Sequence, residues 1–196
     1  MLKNVIFDFG NVLYRYDPIT LLRCCFEEAD LPLAERAIYR EWHTLDAGTA
    51  DYDEYVERTM PLLPERLHAP ARRFFRDWFR FEKPIEPVWE LIARLKARGY
   101  SVYLLSNAPT NFAAALGEFP ILKLFDGLVV SAPIRMLKPD ANIYLYALDK
   151  FHLSAPETLF VDDLEVNVEG ARKCGLHGFV FDGDAAALWN CIEALS

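Results

Sequence analysis

Short apolar runs alternate along this chain with longer stretches whose apolar positions recur every three to four residues. Five runs, at 3–8, Ser101–Leu105, Leu128–Val130, Thr158–Val161 and Gly178–Phe181, are dominated by apolar, often β-branched or aromatic side chains. Such dense patterning over so few residues predicts strands buried on both faces, as in a parallel sheet. Ile85, Val88, Trp89, Ile92 and Leu95 fall instead on one face of a helix, with Gly99 placed to end it. A short helix is predicted after Pro109, and another over 141–151 with Asp140 at its N-cap. A third spans about 164–174 and ends at Gly175, and Asp184 caps a last one. Strands alternating with helices imply right-handed crossovers, so the fold class is α/β with a parallel sheet.

Residues 18–82 break this rhythm. They show helical spacing and no strand pattern, with interruptions expected at Pro61, Pro64 and Pro70, since proline lacks the amide hydrogen that a helix interior needs. Gly48-Thr49-Ala50-Asp51 reads as a turn followed by an N-cap. The run from Arg72 to Arg80 mixes arginines with aromatics, which fits an amphipathic helix with a solvated basic face. The expected organisation is therefore a core from 1–17 and 83–196, with a helical insert at 18–82.

Composition narrows the function classes. The 196 residues are 53% hydrophobic and 14% aromatic, enough for one sizeable core. A net charge of −8 argues against a nucleic-acid partner, which requires dense Lys and Arg. No uncharged apolar stretch approaches the length of a membrane span, and the apolar run at the start is too short for a signal segment. Cys24, Cys25, Cys174 and Cys191 form no C-x-x-C pair, which suits a reduced, cytoplasmic setting.

Four polar sites punctuate the predicted strand ends. Asp8 closes the first strand before a turn at Gly10, and open parallel sheets bind ligands at such carboxyl ends. A carboxylate there can attack phosphorus, or simply cap the turn. Ser106 and Asn107 close the second strand; a hydroxyl and free amides can bind an anion, or cap a helix. Lys138, before Pro139 and Asp140, can neutralise a transferring phosphoryl group, or lie solvated. Asp162 and Asp163 end the fourth strand, with Asn167 one helical turn on. Two adjacent acids repel each other, and a hard cation such as Mg²⁺ relieves that repulsion; the alternative is a helix cap. Trp42, His43 and Tyr14 are weaker candidates for substrate specificity, with packing or exposure the better expectation for Trp42 and His43. Gly170 and Ala171 are expected to let their helix pack closely on the sheet.

Taken together, Phe7-Asp8-Phe9-Gly10-Asn11-Val12, Leu105-Ser106-Asn107, Leu137-Lys138-Pro139-Asp140 and Val161-Asp162-Asp163-Leu164-Glu165-Val166-Asn167 resemble the haloacid dehalogenase superfamily, over about 5–182. The resemblance implies a Rossmann-like parallel sheet with a small helical cap inserted after the first strand. It implies Asp8 as nucleophile, Ser106, Asn107 and Lys138 around the phosphate, and Mg²⁺ held by Asp8, the Gly10 carbonyl and Asp162, with Asp163 acting through water.

One position departs from that pattern. Phosphatases of the superfamily carry a second aspartate two residues after the nucleophile as general acid/base; here that residue is Gly10. Glycine there is similar to a bacterial subgroup resembling the α-glucose-1-phosphatases, and a donor such as His43 could replace the acid. The expected activity is a Mg²⁺-dependent phosphomonoester hydrolase acting through an aspartyl-phosphate on a small phosphorylated metabolite such as a sugar phosphate, as a monomer or homodimer. The alternatives are a metal-independent 2-haloacid dehalogenase-type hydrolase, against which Asp162-Asp163 argues, and a non-catalytic binder of phosphorylated ligands.

Overall fold

The computed structural model describes residues 1–196. Its strands, in chain order, are β1 (Asn4–Phe7), β2 (Tyr14–Arg15), β3 (Lys83–Pro84), β4 (Ser101–Ser106), β5 (Gly127–Val130), β6 (Thr158–Asp162) and β7 (His177–Val180). Five of them form one all-parallel sheet in the order β5-β4-β1-β6-β7. Alternation along the central strands divides the interior between two faces. Val5, Phe7, Val102, Leu104, Leu159 and Val161 join one core cluster, whereas Ile6, Tyr103, Leu105 and Phe160 join the other. This burial on both faces is why the strands read as unbroken apolar runs.

The chain moves outward from β1 through β4 to β5, then returns to β6 on the other side of β1 and continues to β7. The direction therefore reverses around β1, where open α/β sheets place their ligands. Helix Glu86–Ala97 buries Val88, Leu91, Ile92 and Leu95, and Gly99 just beyond it adopts φ +84°. Trp89 of that helix donates its indole N–H to the Leu13 carbonyl at 3.0 Å, tying the helix to the loop after β1. Asp184 caps Ala185–Leu195 by accepting from the amides of Ala186 and Ala187. Asp140 stands at the N-cap of Ala141–Lys150 but makes no side-chain cap bond.

Between β2 and β3 the chain is helical, including Leu31–Ile38, Trp42–Asp46, Tyr52–Thr59 and His68–Asp77. Asp51 caps the third of these by accepting from the Glu54 amide at 3.0 Å. Pro70 does not break a helix; it lies in the first turn of His68–Asp77, where a missing N–H costs nothing because first-turn amides have no intrahelical partner. That helix buries Ala71, Phe74 and Phe75 and directs Arg72 and Arg76 outward into ion pairs with Glu57 and Asp77. Residues missed as strands, Tyr14–Arg15 and Lys83–Pro84, pair antiparallel, so the helical segment leaves and re-enters the sheet domain at one ribbon. Two residues per strand are too few to register as a pattern.

A second contact fastens the segment. Ser131 donates its hydroxyl to the Asp46 carbonyl at 2.6 Å and accepts from the Ala108 amide at 2.9 Å. Nearby, Gly48 adopts φ +63°, and a Cβ on it would lie 2.1 Å from the Ala132 carbonyl oxygen. No helix is long and apolar enough to cross a membrane, and all four cysteines are free.

Candidate active site

Registration of the three central strands assembles the site. Phe7 pairs with both Leu104 and Val161, so the residues that follow, Asp8 and Asp162, emerge side by side at the carboxyl edge, with Ser106 ending β4 beside them. Carboxylate oxygens of Asp8, Asp162 and Asp163 lie within 4.8 Å of one another. Lys138 reaches into this group from the segment after β5: its Nζ is 2.7 Å from Asp8 Oδ1 and 2.6 Å from Asp162 Oδ2. The ammonium is almost wholly buried, with 1% of the side chain exposed, so water screens these contacts little.

Each group is held by its neighbours. Asp162 accepts the Leu164 amide at 2.9 Å and the Asn167 amide group at 3.0 and 3.1 Å. Helix Glu165–Lys173 has Leu164 at its N-cap with no side-chain cap bond, so the acid pair is not spent on capping it. Asn107 grips the Lys138 backbone from both sides, accepting its N–H at 2.9 Å and donating to its carbonyl at 3.0 Å. Its side chain thus positions the lysine, leaving only its backbone for an anion. Gly170 closes on the same loop, since a Cβ there would stand 2.6 Å from the Pro139 carbonyl oxygen. The close approach expected at Gly170 is to this loop, not to the sheet.

Asn11 is a site residue that its sequence position alone did not single out. It adopts φ 55°, accepts the Tyr16 amide at 3.0 Å and donates to Asp163 Oδ2 at 3.1 Å. The left-handed conformation after Asp8 belongs to Asn11 and not to Gly10.

The electrostatics follow from burial. Desolvation pushes the Asp8 carboxyl up to about 6, against the pull of the Lys138 ammonium. Burial also raises Asp163. Burial works against the Lys138 charge, but Asp8 and Asp162 outweigh it and hold the amine above its usual range. Three carboxyl groups face one ammonium, an all-oxygen donor set with an excess of negative charge. That chemistry fits a hard divalent cation.

Above these groups is a cavity of about 380 Å³. Asp8, Gly10, Lys138 and Asp163 line it from below; Tyr16, Trp42, Trp78 and Phe112 form its aromatic wall. Trp42 of the sequence-predicted specificity residues is part of that wall. Tyr14 is not: its ring stacks on Phe9 with centroids 4.7 Å apart and is buried in the core. His43 is exposed and outside the cavity, because one step along a helix turns a side chain by about 100° from its neighbour. Two acids of the cavity went unnoticed in the sequence, Asp46 and Glu82. Burial pushes the Asp46 carboxyl up to about 7 and Glu82 well above the carboxylate range. A larger depression of about 480 Å³ lies beside Arg72, Arg76 and Arg80 and shares no lining residue with the first; all three arginines are engaged in ion pairs.

A family model for haloacid dehalogenase-like hydrolases matches residues 2–175. The chain belongs to this family. The chain is similar to the sesquiterpene phosphatase astK of Aspergillus oryzae, 29% identical over 195 residues covering 97% of this chain and 94% of the relative. The D-ribitol-5-phosphate phosphatase of Bacteroides thetaiotaomicron is 27% identical, covering 91% of each chain. An (S)-2-haloacid dehalogenase of Burkholderia cepacia is 30% identical over 73% of this chain and 64% of its own. The fold matches a family enzyme of Bacteroides thetaiotaomicron solved with magnesium and inorganic phosphate, at TM-score 0.72 and 20% identity, covering 96% of this chain and all of that one.

Proposed function

We propose that the protein is a Mg²⁺-dependent phosphomonoester hydrolase acting on a small phosphorylated metabolite through an aspartyl-phosphate. The observation that carries this reading is the group of Asp8, Lys138 and Asp162, all buried, with half-buried Asp163 beside them at the carboxyl edge of three adjacent strands. Asp8 is the nucleophile that attacks phosphorus. Lys138, the Ser106 hydroxyl and the Asn107 backbone hold the phosphoryl oxygens, with Lys138 also orienting the Asp8 carboxylate. Water then cleaves the acyl phosphate and regenerates Asp8. Asp8, the Gly10 carbonyl and Asp162 would hold Mg²⁺ directly and Asp163 through water; the ion supplies charge that offsets repulsion between the nucleophile and the phosphoryl group. Residues 18–82 act as the cap over a core of 1–17 and 83–196. The two phosphatase relatives are named for a sesquiterpene and a sugar alcohol, so what they share is the phosphate, and the substrate class is set no more narrowly than that.

Turnover of an aryl phosphate with Mg²⁺ or with chelator tests the reading. Mg²⁺-dependent release of phosphate is expected, and Asp8→Asn should lower it by at least about 10⁴-fold, as loss of a nucleophile does. Halide release from a 2-haloacid without added metal would replace the reading with dehalogenation. Phosphate binding without turnover would replace it with a binding function.

A further inference from the structure

In the proposed reaction the leaving oxygen departs as an alkoxide unless a proton reaches it, and Gly10 offers none. We propose that Glu82 is the catalytic acid that protonates the leaving oxygen, from the wall of the cavity that Gly10 also lines. This inference rests on the phosphatase reading above.

The cavity restricts the candidates. His43 lies outside it. Tyr16 lines it, but burial holds its phenol far above the range in which it gives up a proton near neutrality. A side chain grown on Gly10 would meet the Tyr16 Cβ at 3.4 Å, so Tyr16 borders the space next to Gly10. Asp46 and Glu82 remain. Asp46 interacts with the Trp42 indole and lies within reach of the Lys138 charge, and both favour its ionised form. Glu82 has neither. Its residue is 9% exposed and lines the cavity; its Oε2, like the Oδ1 of Asp46, is buried with no hydrogen-bond partner.

A buried carboxylate without a donor is costly, whereas a buried carboxylic acid needs only an acceptor for its O–H. The groups facing Glu82 are Asp8 at the end of β1 and the phenols of Tyr14, Tyr16 and Tyr39. None of the phenols carries a positive charge, so burial of the carboxyl without a donor is what holds it protonated. The residue that carries this unpartnered group lines the same cavity as the nucleophile.

The proton balance closes over two steps. As the Asp8 oxygen bonds to phosphorus and the P–O bond to the leaving group breaks, the Glu82 proton passes to the departing oxygen, giving an alcohol and a glutamate. In the second step, that glutamate takes a proton from the water attacking the aspartyl-phosphate. Phosphate leaves, and both carboxyl groups return to their starting states.

Glu82→Gln keeps the size and burial of the side chain but has no acidic proton. Aryl phosphates, whose leaving group departs unprotonated, need the acid little; alkyl phosphates need it fully. For Glu82→Gln the alkyl kcat/KM should fall about 10²–10⁴-fold, the range of general acid/base catalysis, and the aryl value about tenfold at most. Adding Gly10→Asp to that variant should restore part of the alkyl rate. Asp46→Asn should change the two substrates in parallel. A parallel fall of both substrates in a folded Glu82→Gln protein, no change in either, or a selective alkyl loss in Asp46→Asn instead would overturn the assignment. Wild-type protein that turns over neither substrate would overturn the phosphatase reading itself, and this role with it, which separates the two failures.

Discussion

Lys138 offers the sharpest test of how the site is held together. Lys138→Met keeps an unbranched side chain as long as the lysine's carbon stem but removes the ammonium that lies 2.7 Å from Asp8 and 2.6 Å from Asp162. Both carboxyl groups then stay buried without their cation, and breaking a buried pair from one side costs about 3–5 kcal/mol. At an unfolding entropy of about 2.1 cal/mol/K per residue, this corresponds to a Tm lower by about 7–12 °C for a chain of this length. The loss depends on pH in a defined direction. Asp8 is already pushed up to about 6 from an ordinary 3.8, so the folded state binds its proton more readily than the unfolded state. Removing Lys138 raises that folded value further. The folded variant therefore gains stability as pH falls from 8 toward 5, and the deficit against wild type narrows. The assay is calorimetric or fluorescence unfolding at both pH values with chelator present, since a bound cation would replace part of the missing charge. A second substitution, Asp162→Asn, should recover part of the stability but no activity. A Tm within about 2 °C of wild type at pH 8, or an identical deficit at pH 5 and 8, would refute the reasoning.

Two further outcomes are expected. Asp162→Asn should weaken Mg²⁺ binding more than Asp163→Asn, whose loss should be about 10–100-fold if its contact runs through water; calorimetric titration of both decides, and equal small effects would return the pair to a purely structural role. Gly170→Ala places a Cβ 2.6 Å from the Pro139 carbonyl oxygen, so it should lower Tm by about 2–7 °C through overpacking of about 1–3 kcal/mol and reduce turnover by displacing Lys138; an unchanged Tm would mean that the loop yields freely.

The sheet was legible because its strands are buried on both faces, which leaves a run of apolar residues with a polar residue at each functional end. The five strands β1 and β4–β7 fall within a few residues of their predicted bounds, and Asp51 and Asp184 cap helices as their residue types suggest. Asp8, Ser106, Lys138 and Asp162 were legible for the same reason: polar groups at apolar strand ends, or just before a helix, stand out. Asp46 and Glu82 were not. Each is a single acid in a mixed segment, and only the closing of the helical segment over the sheet takes them out of water. Tyr14 and Tyr16 look alike in sequence; the turn at Asn11 sends one into the core and the other to the cavity. The β2–β3 ribbon and the role of Asn107 as a clamp depend on contacts between residues far apart in the chain, which local pattern does not encode.

The helical segment is tied to the sheet side at several places: the β2–β3 ribbon, the hydrogen bond from Ser131 to Asp46, the donation from Asn111 to the Phe75 carbonyl, and the ion pair of Arg80 with Glu118. A body attached at one point can tumble, but each further attachment removes a freedom. Glu82 immediately precedes Lys83 of the ribbon, and Asp46 is itself the acceptor of the Ser131 hydroxyl. Both buried acids therefore sit at anchor points, where the chain is least able to carry them away from the sheet. Trp78 is buried and stacks on Phe112, so the aromatic wall of the cavity is itself part of what joins the segment to the sheet side.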